Sequence, residues 1–467
     1  MQEIVNMNKG FIPDIIPKFL DGLEIKFGSI WVEAPRFKEA DGSVNQKITP
    51  SEARIRDLTY ESPVFLEVIK IENGVEKEKE NIFIGNIPIM VRSKLCVLNS
   101  MNEDELINIG EDPGDMGGYF IINGTERVIV IVEDLSQNKL FVNETKTGIY
   151  PWVGKIFSED NQYRIPHTFE KAKDGVICVS FTRIDKIPFV LLMKALGVKK
   201  DVDIIEAVGK DEKFMSDLYI NLYETAGIKT QEDALDDIGK RLRIIQSKER
   251  RVERVKQILD RFLLPHIGHS EKERIEKANF LAKCVKKMLL VSQKRIVVDD
   301  KDHYVNKRLR LPGDMMKSLF SFVFNMLVSD MKYNFERLVK RGKYPSVQAV
   351  CRDQLLTSRV RSALATGEWV GGKHGVSQHL QRNNFYDTMS HLRRVVSSLT
   401  AVRENFEARD LHPTHWGRLC TAETPEGQSI GLRKNLAIMC EISTKVPEKR
   451  EELIASLKEF GMKEFED

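Results

Sequence analysis

The dipeptide Asn123-Gly124, set inside the run EDPGDMGGYFIINGTERVIVIVED, constrains this chain more than any other short feature. Both residues tolerate the positive φ angles of a two-residue type I′ turn, and both flanks are β-rich. The run is therefore a hairpin, and the section to about residue 140 reads mainly as strands. Ile82–Val97 supports this, alternating apolar runs with Gly85, Pro88 and a basic stop at Arg92-Ser93-Lys94. Beyond residue 141 the character changes. Short strands around Cys178–Phe181 give way to helical patterns. In Ile238–Phe262, the residues Leu242, Ile245, Val252, Val255, Leu259 and Phe262 recur at three- and four-residue steps until Pro265 stops the helix. Glu271–Val291 and Met315–Val339 read as further helices, and Pro447–Asp467 as a charged helix with a short tail. The fold class is mixed α+β and multidomain. No internal repeat and no low-complexity tract appears.

With 467 residues the chain can hold two to four domains, each with its own core. Its 72 Lys+Arg against 69 Asp+Glu exclude a simple basic wrapper for nucleic acid, although local patches stay open. The six cysteines contain no C-x-x-C pair and fit a reducing compartment. No signal-peptide stretch and no apolar run near ~18 residues occurs, which predicts a soluble, cytoplasmic protein without membrane contact.

Several runs invite a chemical reading. Gly367–Lys373 comes within one residue of a phosphate loop, but His374 stands where the Mg²⁺-holding hydroxyl belongs. The preceding SRVRSALAT looks helical where a buried strand is required, so a flexible Gly-rich connection is favoured. His412-Pro-Thr-His415, with Glu423 and Glu426 nearby, has the wrong spacing for a zinc helix, and turn histidines are favoured over a metal site. Thr424-Pro425-Glu426-Gly427 reads as a tight turn holding Glu426 at its tip. Between Lys332 and Arg394, twelve Lys+Arg face four Asp+Glu, a local +8. Past Asp387 as a plausible N-cap, TMSHLRRVV can form a short helix with Met389, Leu392 and Val396 inward and His391 and Arg394 pointing away. Arg403, Arg409 and Arg418 follow. Guanidinium clusters suit phosphate, while a solvated basic face is the bland alternative. Residue chemistry alone stops at a multidomain soluble protein associated with nucleic acid.

A chain of blocks goes further. RIRDLTYESPVF (54–65), IGNIPIMVRSKLCVL (84–98), GGYFIINGTERVIV (117–130), IPFVLLMKALGV (187–198), DKDHYVNKRLRLPG (300–313) and ATGEWVGGKHGVSQ (365–378) resemble successive blocks of one family. SHLRR (390–394) and RDLHPTHWGRLCTAETPEGQSIGLRKNLA (409–437) make the densest match. The family is the second-largest subunit of multisubunit, archaeal-type RNA polymerases. The resemblance implies a β-rich protrusion (1–140, returning at 307–362), an α-rich lobe (141–306), a mixed fork (363–446) and the start of an external region (447–467). It implies that Gln378, Arg393, Arg394, Arg403, Arg409 and Glu426 face the nucleic-acid cleft and active centre. It further implies no catalytic residue and no metal or other cofactor on this chain, since Mg²⁺ sits in the largest subunit. Expected partners are that subunit, the downstream half of a split second subunit, DNA template, RNA transcript and transcription factors. Two departures stand out. The family's intact subunit is far longer, which suits the upstream piece of a split gene, and the helical region before RDLTY is shorter here than usual. Outside the family, a self-sufficient NTPase or nuclease using Lys373 or His412/His415, or a free-standing nucleic-acid-binding module, are the competing expectations.

Overall fold

The computed structural model describes residues 1–12, 22–39, 44–45, 48–145, 148–160, 164–198, 200–228, 230–399, 405–443 and 450–462. Asn123 and Gly124 take φ of 47° and 72°, joining strands Phe120–Ile122 and Thr125–Ile129 with Ile122 opposite Thr125. Glycine is required here twice over. A Cβ at Gly124 would lie 2.8 Å from the Asp57 Cα, besides the cost of its positive φ. A second Asn-Gly turn, Asn73-Gly74, joins Glu61–Glu72 to Val75–Pro88, and Leu23–Val32 completes this three-stranded antiparallel sheet.

One face of that sheet buries Val64, Leu66, Val68, Ile82 and Ile84 against helices from more than two hundred residues later. The helix Pro312–Val339 starts with proline at its first position, where no N–H is needed. Its buried Met315, Leu319, Val323, Phe324, Leu327, Met331 and Phe335 form a stripe at helical spacing. Asp353–Thr366 lies against Val75–Pro88 and adds Leu356, Val360 and Leu364 to the same core. A smaller cluster, including Tyr60, Tyr119, Ile121 and Val128, lies behind the Asn123-Gly124 hairpin.

A separate core spans Leu140 to Val291. Its first half is a five-stranded antiparallel meander from Phe141–Glu144 to Ile184–Pro188, considerably more strand than the short runs expected around Cys178–Phe181. The reason is visible in Trp152–Glu159, where Gly154, Ile156 and Ser158 are buried and intervening side chains face outward. Two of those inward residues are not apolar, so the period is muted in sequence. Ile238–Phe262 is not one helix but two, Gln231–Arg241 and Lys248–Phe262. Arg243 turns to φ 56° and Ile245 is 97% exposed, outside any apolar stripe. Glu271–Glu273 and Arg274–Ser292 form the further helix, opened by a reciprocal Ser270/Glu273 cap.

Two buried polar groups tie this unit together. Lys277, fully buried, donates to the carbonyls of Asp260 at 2.9 Å and Leu259 at 3.4 Å near the end of Lys248–Phe262, and burial lowers its pKa to about 8. His167 accepts from the Leu264 N–H at 3.1 Å on Nε2 and faces the Ile165 carbonyl at 3.1 Å on Nδ1. The neutral ring satisfies both, and burial pushes its pKa down to about 4.

The strand Ile131–Leu135 joins the parts. It pairs antiparallel with Lys307–Arg310 and parallel with Arg394–Ser397, which pairs in turn with Arg433–Asn435. Its adjacent acids, Glu133 and Asp134, point to opposite faces. Glu133 binds Lys307 at 2.8 Å, Lys434 at 3.1 Å and the Tyr304 hydroxyl at 2.9 Å. Asp134 binds Arg164 at 2.9 Å, Lys373 at 3.0 Å and Arg310 at 3.1 Å. Among the described residues no helix is long and apolar enough to cross a membrane, and all six cysteines are free thiols.

Candidate nucleic-acid interface

The stretch from Gly367 to Cys440 is laid onto the hairpin and the connecting strand. After the helix Asp353–Thr366, Trp369 buries its ring and donates from Nε1 to the Met315 carbonyl at 3.0 Å. Its N–H reaches the Lys373 carbonyl at 2.8 Å, closing a tight turn rather than a loose connection. Lys373 is already bound to Asp134, and a helix precedes the turn where a phosphate loop needs a strand. Ser377–His379 then extends the hairpin sheet, placing Gln378 opposite Val128.

Asn384, not Asp387, caps the next helix, Phe385–Leu392, accepting from the Asp387 N–H at 2.8 Å. The helix ends before Arg394 and Val396, which lie in the strand Arg394–Ser397. His391 therefore points inward, at 1% exposure, rather than away with Arg394. Its Nδ1 accepts from the Gln381 N–H at 3.1 Å, and its Nε2 lies 3.2 Å from Gln378 Oε1. Burial, then Arg394, press its pKa down to about 4, so it is neutral and donates through Nε2. Gln378 is thus oriented by a buried imidazole, and its amide nitrogen reaches the Gly375 carbonyl at 3.0 Å.

The arginines separate into different roles. Arg393 donates to the carbonyls of Ala437 at 2.6 Å and Ile438 at 3.1 Å, holding one backbone segment on another. Arg409 does likewise with Gln428 at 2.7 Å and Ile430 at 2.9 Å, and Gly431 lies so close that a Cβ there would meet the Arg409 carbonyl oxygen at 2.3 Å. Arg394 differs. Its guanidinium is half-buried and donates to the neutral Gln381 Oε1 at 2.9 Å. Burial, followed by the neighbouring Arg433, lowers its pKa, against the weaker opposing pull of Asp387 and Glu423. Arg433 lies diagonally across the strand pair from Arg394, and Arg394 is hydrogen-bonded to no carboxylate among the described residues, so an anion would be favoured beside it. Arg403 lies outside the described residues.

Glu426 is exposed, but the turn closes three residues later than expected, the Ile430 N–H reaching the Gly427 carbonyl at 3.1 Å. Thr424 drives this shift. Its hydroxyl donates to the Arg433 carbonyl at 3.0 Å and accepts from the Gly431 N–H at 2.9 Å, leaving Glu426 as the entry to the short helix Gly427–Ser429. His412 caps Pro413–His415 and lies 2.9 Å from Asp300, whereas His415 is buried edge-on to Tyr304. These are turn histidines held by hydrogen bonds and packing. Among the described residues no three His, Cys, Asp or Glu side chains gather as a metal site.

Tertiary pairing offsets part of the local +8. Arg352 binds Asp330, Arg361 binds Glu61 at 2.9 Å, Arg382 binds Glu126 at 2.7 Å and Asp115 at 2.9 Å, and Lys373 binds Asp134. The sequence pattern gave no sign of Arg433 beside Arg394, or of Arg382 packed over Tyr119 with its ring centroid 4.9 Å away.

Residues 1–359 match the family model described as the RNA polymerase beta subunit, and 378–442 match the one described as RNA polymerase Rpb2, domain 3. The chain is 47% identical over 451 residues to DNA-directed RNA polymerase subunit Rpo2 of Saccharolobus shibatae, covering 96% of this chain and 40% of that protein. Against subunit Rpo2N of Methanococcus vannielii it is 44% identical over 450 residues, covering 94% of this chain and 90% of that protein. Against Rpo2N of Halobacterium salinarum the identity is 41% over 464 residues, covering 97% and 88%. It thus spans well under half the length of the Rpo2 relative and most of each Rpo2N. With a family model over most of its length and Rpo2N relatives matched nearly end to end, the chain belongs to the RNA polymerase beta subunit family and corresponds to the N-terminal half of the archaeal second subunit.

Proposed function

We propose that this chain forms one wall of the nucleic-acid cleft in a DNA-dependent RNA polymerase. In it, residues 1–140 and 307–362 act as the protrusion, 141–306 as the lobe and 363–446 as the fork. The observation that carries the reading is Arg394, half-buried and braced by Gln381 rather than by a carboxylate, with the exposed Arg433 adding positive charge beside it. Strand pairing sets Arg394 opposite Asn435 and Arg433 opposite Val396, so both arginines are held on one strand pair, where they would hold a backbone phosphate. Gln378 and Glu426 lie on the same module and would border the active centre, while Arg393 and Arg409 act by positioning its loops. The chain contributes charge and position. Mg²⁺ chemistry, in which metal ions stabilise the attacking and leaving oxygens, would be supplied by the largest subunit. Alone the chain is inactive, consistent with Lys373 being already committed to Asp134. The polymerase assembles in the cytoplasm with the largest subunit, the downstream half of the second subunit, template, transcript and transcription factors.

The test is elongation-complex lifetime against potassium concentration, using reconstituted enzyme carrying Arg394→Ala. The salt slope should fall by roughly one unit per lost phosphate contact, similarly on every template sequence. Curves superimposable on those of the unmodified enzyme would remove Arg394 from the nucleic acid.

A further inference from the structure

Three large apolar side chains stand uncovered on two backbone segments that meet at one edge of the fork. Trp416 is 82% exposed, Ile438 89% and Met439 91%. The backbone brings them together. Leu419 bridges Leu436, and the Ala437 N–H donates to the Arg418 carbonyl at 3.0 Å. Trp416 lies two residues before that bond, and Ile438 and Met439 one and two residues after its other end. The edge is also held firmly. Arg393 grips the Ala437 and Ile438 carbonyls, and Arg418 donates to the Thr414 carbonyl at 2.9 Å. A soluble protein does not fix three such side chains in water without a use for them, and tryptophan is the residue type that most often anchors an interface.

We propose that Trp416, Ile438 and Met439 form the docking surface for the part of the second polymerase subunit that lies downstream of this match. The proposal rests on the polymerase reading above and names which residues receive that partner. The relatives identify the occupant. In the single-chain Rpo2 of Saccharolobus shibatae, this match accounts for 40% of the length, and the domain 3 match ends at residue 442, three positions beyond Met439. In such a protein, polypeptide downstream of the domain emerges beside the apolar edge and is tethered there. Covering it from that side costs little ordering entropy. A nucleic acid fits less well. Bases stack on Trp416, but the unbranched Met439 and the β-branched Ile438 offer no aromatic face.

The probe is the downstream portion of the Saccharolobus shibatae protein, the part this chain does not match, purified and titrated against the full chain by calorimetry. A one-to-one complex is expected. Trp416→Ser and Met439→Ser should each raise Kd roughly thirtyfold, as truncated anchors do. Ile245→Ser, at an equally exposed site in the lobe, should leave Kd unchanged, and circular dichroism of all variants should match the parent. No complex with the parent chain, equal weakening by Ile245→Ser, or unaltered binding by both fork variants would each overturn the proposal. So would quenching of Trp416 by a short single-stranded RNA that persists in the complex. A complex lost as expected, in an enzyme whose Arg394→Ala salt slope is unchanged, would sink the cleft assignment and leave this one standing.

Discussion

Changing Glu133 to glutamine should destabilise the joint between the three parts of the chain. Glu133 is 5% exposed, and the side chains of its partners Lys307 and Lys434 are 8% and 9% exposed. Burial pushes its carboxyl upward. The Lys434 and Lys307 ammonium groups more than offset that, so its pKa lies below the ordinary value. Glutamine keeps the shape but removes the charge, leaving the buried Lys434 ammonium without its carboxylate and Lys307 with Asp302 alone, at 3.2 Å. Breaking a buried pair in this way costs about 3 kcal/mol. For a cooperative unit of a couple of hundred residues, that lowers Tm by roughly 6–12 °C. Calorimetry on the full chain reads it directly. The same reasoning demands coupling. Lys434→Met, made in the Glu133→Gln background, removes one stranded charge and should recover about 1 kcal/mol or more. The pH dependence has a definite sign. A depressed carboxyl pKa contributes stability above the unfolded value of 4.5 that is lost as pH falls below it, and Glu133→Gln should abolish that component. A Tm change under about 2 °C, or strict additivity with Lys434→Met, would refute the buried-joint account.

Acid should destabilise the chain through its histidines. His167, His391 and His415 each have pKa values lowered to about 4, so the unfolded state binds their protons first, and stability falls from pH 6.5 downward and levels near pH 4. For the fully buried His167 the loss is about 3 kcal/mol, and a His167→Gln variant should show a shallower denaturation midpoint against pH over that window. Gly124→Ala should cost about 2 kcal/mol from its positive φ and its contact with Asp57, measured as a drop in thermal midpoint. Residues 139–300, expressed alone, should unfold in urea as one cooperative transition, because the Leu140–Val291 cluster contains its own core. A non-cooperative profile would mean that core depends on the rest of the chain.

What was legible in the sequence was local. The Asn123-Gly124 turn, the long helix through Met315–Val339, the helix before Gly367 and the turn histidines each depend on residues a few positions apart. Propensity and periodicity report such features faithfully. The helical stripe across Ile238–Phe262 failed because six apolar residues at helical steps cannot reveal a left-handed residue at Arg243 between them. Asp387 and Asn384 are both good caps by chemistry, and only the chain path into the Phe385 helix selected between them. The local +8 was real as a count, but Arg361, Lys373 and Arg382 find their carboxylates about 240 to 300 residues away. Pairing over that separation is set by which strands meet. So the sequence determined the family, the mixed fold and the candidate residues. Tertiary structure alone decided that Arg393 and Arg409 hold backbone, that Arg394 stands beside Arg433, and that Trp416 and Met439 face water. Charge and apolarity are properties of residues, whereas being paired or covered is a property of their neighbours.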